Sequence, residues 1–110
     1  MTPDDLRLLE TVGVPSAVAA GRMLIERGQP GTGLYVIVDG TVIVEAPEGT
    51  REFGAGSVIG ERALLSPEGR RTARVRALSE VHVLAVDRSQ IERLCAEDEA
   101  FARRLADATR

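Results

Sequence analysis

Glu61 and Arg71 stand ten residues apart in the stretch IGERALLSPEGRRTARV (59–75), an acid and a base with room for something between them. The run TARVRA (72–77) alternates: Ala73, Val75 and Ala77 take one face of a strand, and Thr72, Arg74 and Arg76 take the other. One step further back, Arg71 has the parity of the apolar face. If that face lines an interior, an arginine points inward, and a buried charge without a partner is strongly unfavourable, so an anion must meet it. Glu61 is the candidate within the chain, which gives a structural ion pair as one reading.

A second reading puts a ligand between the two. Gly60-Glu61 begins a short helical stretch, ERALL, whose leading N–H groups suit an anion. Thr72 adds a hydroxyl and a backbone amide beside the forked Arg71 guanidinium, and the set makes a phosphate cradle. A glutamate repels phosphate, and an ionised carboxylate only accepts hydrogen bonds. It fits a ligand that carries a hydroxyl close to its phosphate, as a ribose phosphate does. On this reading Glu61 meets the sugar and Arg71 the phosphate.

The elements that would hold these residues are mainly β. Thr2-Pro3-Asp4-Asp5 is a helix start, with Leu6, Leu9 and Val12 on one side and Gly13 at the end. MLIE (23–26) reads as a strand. LYVIV (34–38) and TVIVEA (41–46) flank Asp39-Gly40, a strong hairpin signal. Both faces of the first run are apolar (Leu34, Val36 and Val38 against Tyr35 and Ile37), so it should be covered on both sides. VHVLAV (81–86) is a further strand, after which Asp87 caps a helix with Ile91, Leu94 and Cys95 on one face. A last helix from about Asp98 aligns Phe101, Leu105 and Ala108. Nine of the eleven glycines fall between Gly28 and Gly69, and the turn spacing suggests a β sandwich or barrel within one domain over residues 1–110.

Two stretches resemble the cyclic nucleotide-binding domain family, found in bacterial catabolite activators, kinase regulatory subunits and gated channels. LIERGQPGTGLYVIVDG (24–40) is similar to its first signature, and IGERALL followed by RTARVRA (59–77) to its phosphate-binding cassette. The resemblance implies a double-stranded β-helix, a jelly-roll-like β-roll, with flanking N- and C-terminal α-helices, binding cyclic AMP or cyclic GMP as ligand and needing no cofactor. It also implies roles. Glu61 with the Gly60 backbone would hold the ribose 2′-hydroxyl, and Arg71 would pair with an equatorial oxygen of the cyclic phosphate. Ala63 and Thr72 would add backbone amides, while Arg62 and Ala73 complete the candidate set. Ile59 stands where phenylalanine is common and Arg70 where proline often precedes the arginine; neither removes a contact. For the base, Arg103, Arg104 and Arg110 could stack on a purine, against the plainer reading of a solvated helix face.

The remaining features narrow the function. The basic residues are 14 arginines with no lysine, scattered beyond any single site, and the net charge of −3 argues against nucleic acid as direct partner. No apolar run suggests a membrane span, and one cysteine, Cys95, fits a reducing cytoplasmic setting. Gly31-x-Gly33 precedes a strand and so is no dinucleotide fingerprint. His82 lacks companions for a metal centre, and no nucleophile–base pair indicates an enzyme. With no helix-turn-helix after the roll, output is expected through a partner protein or a larger parent chain, with homodimerisation left open. The rival expectation is a ligand-free docking or dimerisation module on the same fold.

Overall fold

The computed structural model describes residues 2–25, 33–60 and 73–107. Helix α1 (Pro3–Val12) leads into β1 (Val14–Val18) and β2 (Met23–Ile25). The middle holds β3 (Gly33–Asp39), β4 (Val42–Ala46), β5 (Gly49–Phe53) and β6 (Val58–Ile59). Strands β7 (Arg74–Ala77) and β8 (Val81–Asp87) follow, then helices α2 (Arg88–Glu97) and α3 (Glu99–Asp107). The strands form two antiparallel sheets of four, ordered β1-β8-β3-β6 and β2-β7-β4-β5. This is the expected β-roll with flanking helices.

One long ribbon organises both sheets. In the first sheet β3 pairs with β8, Leu34 opposite Val86 and Ile37 opposite Val83. In the second, the continuations of the same two chain segments pair again as β4 with β7, Val42 opposite Ala77 and Val44 opposite Val75. The ribbon therefore turns a corner, passing from one sheet to the other at Gly40–Thr41 on one segment and at 78–80 on the other. Thr41 N–H donates to Ser79 Oγ at 3.1 Å, and Leu78 N–H donates to the Thr41 carbonyl at 2.9 Å.

Asp39-Gly40 is thus a corner and not the hairpin its sequence suggests. Tight two-residue hairpins of the primed types need positive φ at the first central residue. Gly40 has φ +95°, but no non-glycine residue among those described has a positive φ, so Asp39 does not supply it. Glycine is required here for a second reason: a Cβ at Gly40 would lie 2.4 Å from the Glu80 carbonyl oxygen. The true hairpin joins β4 to β5 through Pro47-Glu48, with Ala46 opposite Gly49.

The alternation of the strands sorts their side chains into two cores. Ile37, Val42, Ile59, Val75, Ala77, Val81 and Val83 fill the space between the sheets. Leu34, Val36 and Val86 point the other way, where the helices cover them with Leu9, Ile91, Leu94, Phe101 and Leu105. Sheet β1-β8-β3-β6 is covered on both sides, as the two-faced run at 34–38 requires, although Val38 at its end is 52% exposed. Strands β1 and β5, absent from the sequence reading, are edge strands with almost wholly exposed residues. Pro15, which cannot donate to a ladder, is tolerated at such an edge.

The helices are tied down at both ends of the chain. Thr2 and Asp5 form a reciprocal capping box at the start of α1. The Asp98 carboxylate accepts from Phe101 N–H at 3.1 Å and so caps α3, whereas Asp87 occupies the cap position of α2 without a side-chain bond. Asp5, only 3% exposed, is gripped by the Arg104 fork, Nε to Oδ2 at 2.7 Å and Nη2 to Oδ1 at 2.8 Å. Apolar packing holds the helices on, since truncating a buried phenylalanine such as Phe101 typically costs about 3–5 kcal/mol. The ion pair fixes how α1 and α3 face each other.

The hydrogen bonds from Arg104 outweigh burial and lower the Asp5 pKa from 3.8 to about 2. A depressed folded-state value stabilises above the unfolded pKa and is lost as pH falls through the folded one. Because Arg104 faces solvent on one side, the contribution is about 1–2 kcal/mol, less than a dry pair would give. Urea unfolding from pH 6 down to pH 2 should show the stability advantage of the wild type over Asp5→Asn shrinking by that amount, mostly below pH 5. A pH-independent difference would refute the assignment. Gly40→Ala should destabilise by about 2–4 kcal/mol, through positive φ and the clash at Glu80, in the same assay at neutral pH.

Candidate functional site

The two ends of the predicted cassette are anchored in opposite sheets. At its head, β6 pairs Ile59 with Tyr35 and Val58 with Val36, which fixes the short strand at the edge of the first sheet. Ile59 is buried among the residues between the sheets. Gly60 then turns the chain with φ +92°, a conformation that a Cβ disfavours. The glycine of Gly60-Glu61 is therefore explained by the backbone as well as by any contact it makes.

At the tail, Ala73 immediately precedes β7 and is half-buried. Val75 and Ala77 are 2% and 1% exposed and point between the sheets, as their alternation predicts. Arg74 and Arg76 take the opposite face, where Arg76 Nη2 lies 3.8 Å from Glu45 Oε1. Arg76 Nε is buried without a hydrogen-bond partner among the described residues. Ile59 and Val75, one residue before Gly60 and two after Ala73, belong to one apolar cluster, so both ends of the cassette rest on the same core. Glu61, Arg62, Ala63, Arg71 and Thr72, with the expected ERALL helix, lie outside the described residues.

The arginines considered for the base sort differently from the sequence reading. Arg104 is not a plain solvated-face residue, because Nε and Nη2 along one edge of its guanidinium donate to Asp5. Arg103 is exposed on α3, and Arg110 lies outside the described residues. Sequence reasoning passed over Arg51 on β5, whose guanidinium sits 5.4 Å from the centroid of the Phe53 ring. The i, i+2 spacing of the two on one strand face is the signal that would have found the contact. Cys95 packs beside the helical core, and burial raises its thiol pKa, which disfavours the reactive thiolate. Among the described residues no group of three His, Cys, Asp or Glu could hold a metal ion. None of the described helices is long and apolar enough to cross a membrane.

Comparison with known proteins identifies the family of this fold. Residues 15–98 match the cyclic nucleotide-binding domain family, and the chain belongs to it. It is 39% identical over 72 residues to a cyclic nucleotide-gated potassium channel of Rhizobium etli, a match covering 66% of this chain and 20% of the channel. Thermus thermophilus catabolite activator protein superposes with a TM-score of 0.81 at 26% identity, over 97% of this chain and 53% of that one. A structure solved in work on a cyclic-GMP-dependent signalling pathway that regulates bacterial phytopathogenesis gives a TM-score of 0.86 at 25% identity, over 99% and 90%. The chain spans about a fifth of the length of the channel relatives it matches.

The turn at Gly60 makes its own prediction. Gly60→Ala should destabilise the protein by about 1–2 kcal/mol, the strain of placing a Cβ in left-handed backbone. Chemical denaturation measures it, and a neutral result would show that the turn relaxes to negative φ.

Proposed function

We propose that this chain is a non-catalytic sensor whose ligand is cyclic AMP or cyclic GMP, held in the cassette between β6 and β7. The observation that carries the reading is the order of parts. A family match across residues 15–98 coincides with a Gly60-Glu61 and Arg71-Thr72-Ala73 pair of motifs, and their ends rest on the interior cluster of the roll. Continuing the inward parity of Ala77, Val75 and Ala73 gives Arg71 to the phosphate. Glu61 and the Gly60 backbone take the ribose 2′-hydroxyl, and the Ala63 and Thr72 amides with the Thr72 hydroxyl complete the cradle. Arg62 and Ala73 border it.

In this reading the response is a population shift of the C-terminal helices, driven by a ligand that binds one arrangement better than the other. The connectivity supports it: α2 begins at Arg88, directly after the central strand β8, and α3 is linked through Arg104 to α1. Output then passes to a partner protein or to further domains of a larger parent.

Calorimetric titration with cyclic AMP and cyclic GMP in parallel, at physiological salt, tests the proposal. Micromolar or tighter binding of one of them is expected, and the ratio reports base preference. Arg71→Ala should weaken that binding by about 2–5 kcal/mol, the loss on unpairing a buried charged hydrogen bond. Glu61→Ala should cost about 1–3 kcal/mol and blunt discrimination against a 2′-deoxy analogue. Absence of binding at millimolar nucleotide would favour a docking module in which Glu61 and Arg71 pair directly.

A further inference from the structure

The outer face of sheet β1-β8-β3-β6 is longer than its helical cover. Leu34, Val36 and Val86 lie beneath the helices, but the same face runs on past them to Val38 on β3, His82 on β8, and Pro15 and Ala17 on β1. There it forms an open groove of about 450 Å³ lined by Pro15, Ala17, Val38, His82 and Leu84, with Ser16 and Val83 contributing between them. Among the described residues nothing covers it: Val38 is 52% exposed, and Pro15 and Ala17 are exposed. An exposed branched aliphatic residue bordering an uncovered apolar strip is the kind of surface that marks an interaction site.

The rim identifies the occupant. Asp39 and Glu80 stand beside the groove with side chains 79% and 71% exposed, their carboxylates each 3.8 Å from one ring nitrogen of His82. The end of the groove is therefore acidic while its floor is aliphatic. Pairing of a further strand along β1 is disfavoured because Pro15 lacks an N–H in that edge. What remains is recognition through side chains, the mode of an amphipathic helix whose apolar stripe fills a groove.

We propose that this groove docks an amphipathic helix of a partner protein, with aliphatic residues set over Val38 and Leu84 and a lysine or arginine at the Asp39–Glu80 end. Val38 is the anchor, since it is the large apolar side chain most fully offered to a partner there. The acidic end selects the orientation and raises the association rate at low salt. The groove shares no residue with the candidate nucleotide cassette, so its test needs no nucleotide.

The probe is a synthetic amphipathic leucine–lysine helix, with a leucine–glutamate helix of equal length as control, titrated into the full chain with labelled methyl groups. The lysine peptide should shift the Val38 and Leu84 methyl resonances in a saturable, salt-sensitive way, and the glutamate peptide should not. Val38→Asp, at an already exposed position, should weaken binding about tenfold or more with no loss of thermal stability. Asp39→Asn with Glu80→Gln should remove the salt dependence while leaving residual binding. Equal response to both peptides, shifts confined elsewhere, or unchanged binding by Val38→Asp would overturn the proposal. So would sedimentation showing that wild type alone self-associates through this face and Val38→Asp does not, because the occupant would then be a second copy.

Discussion

The fold depends on a single ribbon that is apolar on both faces. Strands β3 and β8 pair with each other and present Leu34, Val36 and Val86 on one side and Ile37, Val81 and Val83 on the other. A ribbon of that kind cannot remain in water on either side. One face is satisfied by the second sheet, reached by bending the same two segments around the Gly40 corner, and the other by α1, α2 and α3. The architecture of two sheets with helices on one of them follows from this need for double cover.

The parts legible in the sequence are those where local pattern and tertiary demand agree. The two-faced run at 34–38, the alternation at 73–77, the capping residue Thr2, and the helical stripe through Phe101 and Leu105 all behave as read, whereas Asp87, read as a cap, makes no side-chain cap bond. The parts that escaped depend on distant partners. Strands β1 and β5 are almost wholly exposed and exist because β8 and β4 offer them a ladder. Asp39-Gly40 carries a hairpin signature, but its two flanking strands pair with β8 and β7, so the glycine serves a corner. Asp5 looked like an ordinary first-turn acid. Its i, i+4 relation to the buried Leu9 was the available clue that it shares the inward stripe and needs a cation.

The candidate site shows the same division. Its tail anchor was readable because it obeys strand rules: Val75 and Ala77 enter the common core, and Ala73 has their parity. The residues proposed to carry its chemistry, Glu61 and Arg71, lie outside the described residues. The fate of the C-terminal arginines was not legible, since Arg103 and Arg104, neighbours on α3, look alike until the fold assigns one to Asp5.

That assignment has a mechanical side. Asp5 and Arg104 lie at opposite ends of the described chain, so their contact closes it into a ring with the β-roll inside the circuit. A tension drawn between the two ends would first load this ionic clasp and the Leu9, Phe101 and Leu105 packing behind it. The strand ladders would bear it only after the clasp had parted. The molecule is thus arranged like a purse with its drawstring at the Asp5–Arg104 contact: pulled there, it would release its helices before its sheets, and relaxed, it would draw α1 and α3 back to one place.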